Sequence, residues 1–289
     1  MRKLAILLIL WAVVVPFAQA QPNGVPIKLQ LDKDTYLPDE DLQLKVRIIN
    51  RSGQPIVLGE DNEWISFEIL GQHQSIVSKI GDMQVKSPFT LPSGEAVTKE
   101  FNPTPYFAFR HPGVYTLGVT VHIPQWKQQV SCKPVVFTVA EGMTLGGLGN
   151  LSFGVPAPGV TNAAPEVRRY SLVRITLMDQ MKLYFRLTDA GEKTLRVFPL
   201  GRMVSFGSPE AQMDRFNNLH VFFQSGARTF DHSVIDPNGN LLARQFHEYT
   251  DSRPGMHLAE DGSIFVAGGH RLLTASDFPP PGSNTAKNP

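Results

Sequence analysis

The feature that most constrains the fold is the spacing of the apolar residues, which lie in short runs separated by glycine and proline. The chain holds 24 glycines and 23 prolines in 289 residues. They separate segments rich in valine, isoleucine, phenylalanine, leucine and threonine, a pattern typical of strands joined by turns. No longer window shows a 3.6-residue apolar period, and the best helical candidate, Ser208 to Asp214, is short. The sequence therefore predicts an all-β protein.

The alternation is clearest in the N-terminal part, which we delimit as residues 21–141. Leu42, Leu44, Val46 and Ile48 occupy every second position, so they would share one face of a strand. Strands are predicted at 27–31, 42–48, Ile56–Leu58, Trp64–Leu70, Ile76–Ile80, Ala96–Phe101, Val114–Ile123 and Lys133–Val139. Seven or eight strands in about 115 residues is the density expected of an antiparallel sandwich.

Two motifs of this part resemble the immunoglobulin-like sandwiches. Tyr115 follows the turn His111-Pro112-Gly113, which resembles the tyrosine corner of that fold. This resemblance implies that the Tyr115 hydroxyl binds a nearby backbone group. The run Tyr36-Leu37-Pro38-Asp39-Glu40 is similar to the Tyr-x-Pro-Gly-Glu motif of macroglobulin-like and other bacterial immunoglobulin-like domains, with Asp39 where glycine is usual. The resemblance implies a fold and almost nothing about function.

Acidic residues are frequent in the turns of this part, and their oxygens are of the kind that binds calcium. They are Asp32, Asp34, Asp39, Glu40, Asp41, Glu60, Asp61 and Glu63. No Asp-x-Asp-x-Asp-Gly loop with a closing glutamate is present, so solvated turn residues are the default interpretation. We predict no metal ligand from the sequence.

The C-terminal part follows a predicted Gly/Pro-rich linker at residues 142–166 and extends over residues 167–275. Three places repeat one pattern, a tight turn with an aspartate before a strongly apolar strand, and their aspartates are Asp179, Asp214 and Asp261. Between two later strands lies Asp236-Pro237-Asn238-Gly239-Asn240, a hairpin signal. The order resembles bacterial β-propeller repeats, with one four-stranded blade at 211–249, although a closed propeller needs at least four blades. We therefore predict a domain of blade-like antiparallel hairpins, followed by a disordered tail at 276–289.

The first 20 residues have the layout of a cleavable signal peptide. The basic pair Arg2-Lys3 precedes an apolar stretch at 4–15 and the small-residue pattern Ala18-Gln19-Ala20. The stretch is shorter than the span of about 20 residues that crosses a membrane. We expect a mature chain from Gln21, secreted or periplasmic, without stable membrane insertion. An uncleaved anchor is the alternative.

Charge and cysteine content narrow the possible partners. Without Arg2 and Lys3 the 27 basic residues become 25, against 26 acidic residues, so nothing favours nucleic acid as a partner. The single cysteine, Cys132, cannot form an internal disulfide bond. We interpret it as a small buried apolar residue rather than a nucleophile.

Histidines concentrate in the C-terminal part, but no hydrolase or metalloenzyme motif contains them. They are His220, His232, His247, His257 and His270, with Asp231, Glu248 and Asp261 nearby. We predict no catalytic residue and no cofactor. The leading hypothesis is an exported, non-catalytic binding protein whose partner is a protein or a polysaccharide. The rival is a secreted hydrolase or lyase that uses these histidines and acids, and a third possibility is a structural subunit of an envelope assembly.

Overall fold

The computed structural model describes residues 24–148, 151–156, 164–178 and 180–280. These residues form 22 strands and three short 3-10 helices, at Gln72–Gln74, Thr104–Tyr106 and Pro124–Trp126. The pairing between strands is antiparallel except for the two-residue strand Thr35–Tyr36, which is parallel to its neighbour. The all-β prediction is confirmed. No helix in the described ranges is long and apolar enough to cross a membrane.

The N-terminal part contains two main sheets and a small two-stranded sheet. Its strands are β1 Ile27–Leu31, β2 Thr35–Tyr36, β3 Leu44–Ile49, β4 Ile56–Leu58, β5 Ile65–Leu70, β6 Phe89–Leu91, β7 Ala96–Phe101, β8 Gly113–Ile123, β9 Gln128–Ser131 and β10 Val135–Val139. One sheet has the order β1-β3-β7, and the other has the order β2-β10-β8-β5 with β9 beside β8. Strands β4 and β6 pair with each other.

One hydrophobic cluster joins the two main sheets. Leu44, Val46 and Ile48 of β3 are completely buried, and so are Leu117 and Val121 of β8 on the other sheet. These residues belong to the alternating apolar faces that the sequence predicts. Because every second side chain enters one shared cluster, apolar burial stabilises both sheets together.

Tyr115 makes the contact that its resemblance to a tyrosine corner implies. Its hydroxyl donates a hydrogen bond of 2.7 Å to the carbonyl oxygen of His111. The ring stacks on Phe137 of β10, with the two centroids 5.5 Å apart. The side chain thus fixes the loop before β8 to the core.

The predicted strand Ile76–Ile80 is wrong. Only isolated bridges form in this segment, between Leu70 and Ile76 and between Lys79 and Phe107. Ile76 and Ile80 are 75% and 54% exposed, so their apolar alternation meets no core. Strands β6 and β9 are present where we predicted none.

The C-terminal part contains two five-stranded sheets and a hairpin. Its strands are β11 Met143–Thr144, β12 Ser152–Val155, β13 Glu166–Leu177, β14 Gln180–Asp189, β15 Thr194–Met203, β16 Glu210–Met213, β17 Leu219–Gln224, β18 Thr229–Ile235, β19 Leu241–Glu248, β20 Gly255–Leu258, β21 Ile264–Ala267 and β22 His270–Leu272. One sheet has the order β11-β13-β14-β15 with β12 on β13, and the other is β16-β17-β18-β19-β22. Strands β20 and β21 form the hairpin.

The sheet β16-β17-β18-β19-β22 is covered on both faces. Val221 and Phe223 of β17 share a hydrophobic cluster with Leu183 and Phe185 of β14. On the opposite face, Phe222 shares a cluster with residues of the hairpin β20–β21. Its first four strands form a meander over residues 210–248. The hairpin predicted at Asp236–Asn240 joins β18 to β19, which confirms that prediction.

Two segments of these sheets differ from the sequence-based expectation. The segment predicted as a linker contributes β11 and β12, and Leu151 and Phe153 are buried in the core of the C-terminal part. The helical candidate Ser208 to Asp214 contains strand β16 instead, because pairing with β17 satisfies its backbone. Residues 149–150 and 157–163 of the predicted linker lie outside the described residues.

The start of the predicted disordered tail is packed on β19. Asp277 is buried, and Phe278 pairs with Arg244 through two backbone hydrogen bonds of 2.8 and 3.1 Å. The rest of the predicted tail, residues 281–289, and the predicted signal peptide, residues 1–20, lie outside the described residues.

The two parts meet through the turn that follows β2. Leu37 is buried against Val173, Ile175, Tyr184 and Val197, which lie on β13, β14 and β15. Lys33 lies near the aromatic ring of Tyr184, with 5.6 Å between its Nζ atom and the ring centroid. The junction is therefore an apolar contact with a cation at its margin.

Candidate functional site

An open groove lies in the N-terminal part, along the beginning of β5. Its volume is about 620 Å³, which is within the usual range for ligand sites. Its lining combines strand residues with residues of the irregular segment before β6. The lining includes Ser66, Lys79, Asp82, Gln84, Tyr106 and His122.

Asn62 and Trp64 fix the far wall of the groove. The Asn62 side chain donates to Gln84 Oε1 at 3.0 Å and accepts from the backbone N–H of Val85 and of Lys86, at 3.0 and 2.9 Å. The indole N–H of Trp64 donates to the Val85 carbonyl oxygen at 2.9 Å. A segment without regular secondary structure is thus held at a defined place beside β5.

The other end of this segment is fixed by backbone hydrogen bonds. The N–H of Ile80 donates to the Tyr106 carbonyl at 2.9 Å, and the N–H of Ala108 donates to the Ser78 carbonyl at 3.0 Å. Lys79 and Asp82 are exposed beside the groove and carry opposite charges. The groove therefore offers hydrogen-bonding groups and both signs of charge, which suits a polar, uncharged or mixed-charge chain.

A row of buried histidines lies on one face of the C-terminal sheet. His220 Nδ1 is 3.1 Å from His232 Nε2, and His220 Nε2 is 3.4 Å from Asp214 Oδ2. Burial lowers the pKa of His220 despite that carboxylate. Burial, followed by the charges of His220, His247 and Arg271, lowers the pKa of His232 to about 3. The row is neutral near pH 7.

The opposite end of the row carries a buried carboxylate. Asp277 pairs with Arg271 and accepts hydrogen bonds from the N–H and hydroxyl of Thr274 at 3.1 and 2.9 Å. Burial and the Arg271 charge lower the pKa of His247. His232 Nδ1 and His247 Nε2 are buried without a hydrogen-bond partner in the described structure.

Asp231 lies on the other face of the same sheet. It precedes His232 in β18, and neighbouring residues of a strand point to opposite faces. The Ser225 hydroxyl donates to Asp231 Oδ1 at 2.5 Å. Burial raises the pKa of Asp231 to about 6, against this hydrogen bond and the charge of Arg244.

The structure does not bring the predicted histidines and acids into one cleft. His257 and His270 are exposed, and His257 stacks on Phe265 with the ring centroids 5.8 Å apart. Within the described residues, no group of three or more histidine, cysteine, aspartate or glutamate side chains is placed to hold a metal ion. Cys132 is half-buried, and burial raises the pKa of its thiol.

Most acids of the turn after β1 have protein partners. Asp32 accepts the Tyr36 hydroxyl at 2.6 Å, and buried Glu40 pairs with Lys33 and accepts the Leu37 N–H at 2.8 Å. Burial raises the pKa of Glu40 although Lys33 opposes this. Asp32 and Glu40 thus stabilise the turn that contacts the C-terminal part.

Two further aspartates contribute to turns in the C-terminal part. Asp214 Oδ1 accepts the backbone N–H of Phe216 and of Asn218, both at 2.8 Å. Asp261 accepts the N–H of Ser263 at 3.0 Å. Asp179, the third aspartate of the predicted repeat, lies outside the described residues. Asp214 and Asp261 therefore stabilise the turns of the hairpins β16–β17 and β20–β21.

The groove could not be predicted from the sequence. Its far wall is the segment between Gly81 and Val85, which has no apolar period and no motif. The only local signal is the pair Asn62 and Trp64, polar and aromatic residues at the entry to a strand. Their partners lie more than twenty positions further along the chain, so the contacts could not be derived from spacing.

The fold and the groove define an all-β protein of antiparallel sheets with an open site on its N-terminal part. No family model matches the chain, and no curated protein matches it. Among solved structures, it is similar to the sporulation control protein Spo0M from Bacillus subtilis, with 13% identity, a TM-score of 0.31, and coverage of 61% of this chain and 91% of that chain. It is also similar to the YadV chaperone, with 12% identity, a TM-score of 0.23, and coverage of 85% and 99%. These similarities are too weak to carry an argument about function.

Proposed function

We propose that this chain is an exported, non-catalytic binding protein that recognises a protein or a polysaccharide through the groove along β5. The groove is the observation that supports this function: it is open, its walls are fixed, and its lining combines groups of both charges with apolar side chains such as Phe67 and Met83. The signal-peptide pattern at 1–20 supports export to a secreted or periplasmic location. An intact-mass measurement on the exported protein, expected to begin at Gln21, tests that part of the proposal.

The architecture proposed for this role has an immunoglobulin-like sandwich at residues 21–141 and a second unit of blade-like hairpins. The shared core of the two N-terminal sheets and the Tyr115 corner support the first assignment. The meander β16-β17-β18-β19 supports the second. In this arrangement the C-terminal unit contacts the sandwich through Leu37 and leaves the groove open.

A binding screen with a groove-filling variant tests the function. The chain from Gln21 is screened against a phage-displayed random dodecapeptide library and a glycan array. Ser66→Trp places a large side chain at the groove, and we expect it to weaken binding about tenfold or more, since it occludes the site. Glu68→Trp is the matched control, because Glu68 is also exposed on β5 but does not line the groove.

The control variant is expected to bind as the unmodified chain does. Absence of any binder in both screens, or equal loss of binding in the two variants, contradicts a role for the groove in recognition.

A further inference from the structure

The groove lies beside an unpaired sheet edge. Among the described strands, β5 is the last of its sheet, and β8 is the strand that pairs with it along its length. The N–H of His122 on β8 donates to the Trp64 carbonyl at 2.7 Å. In an antiparallel pair, alternate residues exchange these bonds, so Ser66 and Glu68 also face β8 while Ile65, Phe67 and Ile69 direct their backbone groups away from it.

The outward direction of these groups is supported by a contact further along the edge. The Ile69 carbonyl accepts a hydrogen bond of 2.9 Å from the N–H of Val77, and Leu70 and Ile76 form an antiparallel bridge. The chain therefore already pairs with the far end of this edge. Pairing stops there, because the segment then turns toward Tyr106.

The near end of the edge has no such partner. Among the described residues, no backbone or side-chain group makes a hydrogen bond with the outward N–H or C=O of Ile65 or Phe67. These two residues line the groove, and the wall at Gly81–Val85 lies across it. The groove is thus lined by the two residues that carry these four unused backbone groups.

We propose that the groove binds an extended polypeptide segment of a partner protein, which adds to the sheet as a strand beside Ile65 and Phe67. This inference rests on the proposed binding function and names its partner class. Ile65 and Phe67 lie two residues apart, which places their N–H and C=O groups about 6.6 Å apart along the strand. An extended peptide repeats its own N–H and C=O groups at the same distance, and a polysaccharide does not.

The residue types in the groove lining agree with recognition of a peptide mainly through main-chain hydrogen bonds. Lys79 faces the groove together with Asp82 and Glu63, so the site selects neither a polyanion nor a polycation. Ser66 and Gln129 are short or uncharged at its margin. Main-chain hydrogen bonds supply affinity in strand addition, while side-chain pockets supply specificity.

The test uses the tightest-binding dodecapeptide from the phage library in two N-methylated forms. Methyl groups are placed on alternate nitrogens, in one form at odd positions and in the other at even positions. Only one set of N–H groups can face β5, so one form is expected to lose about tenfold or more in affinity and the other about threefold or less. Equal behaviour of the two forms contradicts strand addition.

Amide hydrogen exchange measured by NMR provides an independent readout on the intact chain. Peptide binding is expected to slow exchange at Ile65 and Phe67 about tenfold or more, because their N–H groups gain acceptors. Ser66 and Glu68 are internal controls, since β8 already accepts from them. Unchanged exchange at Ile65 and Phe67 with bound peptide overturns the inference.

The outcomes separate this inference from the function on which it rests. A glycan that binds, and whose binding is abolished by Ser66→Trp and by the lining variant His122→Ala, supports the function and overturns the peptide assignment. No binding of any probe overturns the function itself.

Discussion

At the scale of single residues, Asp39 shows how a sequence position can carry a backbone requirement. Its φ angle is +63°, in the left-handed region that favours glycine. This geometry explains why glycine is usual at the corresponding position of the family that the segment resembles. Asp39 is tolerated because aspartate adopts this conformation more readily than most residues, and its carboxylate forms an ion pair of 2.7 Å with Arg110.

Substitution of Asp39 separates the backbone requirement from the ion pair. Both Asp39→Gly and Asp39→Ala remove the carboxylate, but only alanine brings a Cβ atom into the left-handed conformation. We expect the glycine variant to exceed the alanine variant by about 1 kcal/mol in free energy of unfolding, measured by urea denaturation. Equal stability of the two variants would show that φ at this position relaxes.

At the scale of elements, the two faces of β18 differ in their response to acid. The histidine face, with His220, His232 and His247, has lowered pKa values, so below about pH 6.5 the unfolded chain binds more protons than the folded chain. The contribution of these histidines to the free energy of unfolding therefore falls as the pH falls through 6.5. Asp231 on the other face has a raised pKa of about 6. Its contribution to the free energy of unfolding therefore rises as the pH falls from 6 toward 3.8.

The contribution of the histidine face is measured by comparing variants that all retain Asp231, so that the Asp231 contribution is common to them. Between pH 7.5 and pH 6, His232 alone is expected to lower the free energy of unfolding by about 1 kcal/mol, since it titrates only in the unfolded state. The variant His232→Gln should therefore lose less stability over this interval, as measured by urea denaturation at each pH. Exposed His257→Gln is the control, and an unchanged pH dependence in His232→Gln would contradict a neutral buried row.

At the scale of the whole molecule, the contact of Leu37 with β13, β14 and β15 joins the N-terminal and C-terminal cores. Leu37 is 1% exposed although it lies in a turn. Gly142, where the chain leaves the N-terminal part, passes so close that an added Cβ atom would lie 2.7 Å from Leu37 Cδ2 and 2.4 Å from Val173 Cγ1. Both segments at the junction, the turn that contains Leu37 and the chain at Gly142, are therefore tightly packed.

Shortening the Leu37 side chain should make the N-terminal and C-terminal cores unfold separately. Leu37→Ala is expected to cost about 2 to 5 kcal/mol, since it leaves a cavity at a fully buried site. Trp64 and Trp126 both lie in the N-terminal part, so tryptophan fluorescence reports that part while far-UV circular dichroism reports the whole chain. We expect coincident denaturation curves for the unmodified chain and separated curves for Leu37→Ala.

The control for this experiment is Leu242→Ala, because Leu242 is 46% exposed and lies far along the sequence on β19. The fluorescence and circular dichroism denaturation curves of the Leu242→Ala variant should remain coincident. Coincident curves in the Leu37→Ala variant would mean that the junction does not couple the cores.

The features that depend on near neighbours in the chain were predictable from local patterns of residues. Alternation of apolar residues predicts strands such as β1, β4 and β7 because period two is a property of one strand and one buried face. The Tyr115 corner and the hairpin at Asp236–Asn240 were predictable for the same reason, since a few consecutive residues contain all of their partners. The same rule applied to Asp231 and His232 would have placed them on opposite faces of β18.

The pairing of segments with weak local patterns depends instead on contacts between residues that are distant in the chain. Strand β12 forms in a predicted linker because Leu151 and Phe153 find a core, while Ile76 and Ile80 alternate correctly and stay exposed because no core faces them. The groove has the same origin: Asn62 and Trp64 hold residues that are distant in sequence, and the described residues leave the outer side of β5 unpaired at Ile65 and Phe67. Whether such a segment forms a strand depends on burial and hydrogen bonding with distant residues, and the local periodicity of the sequence carries no information about these contacts.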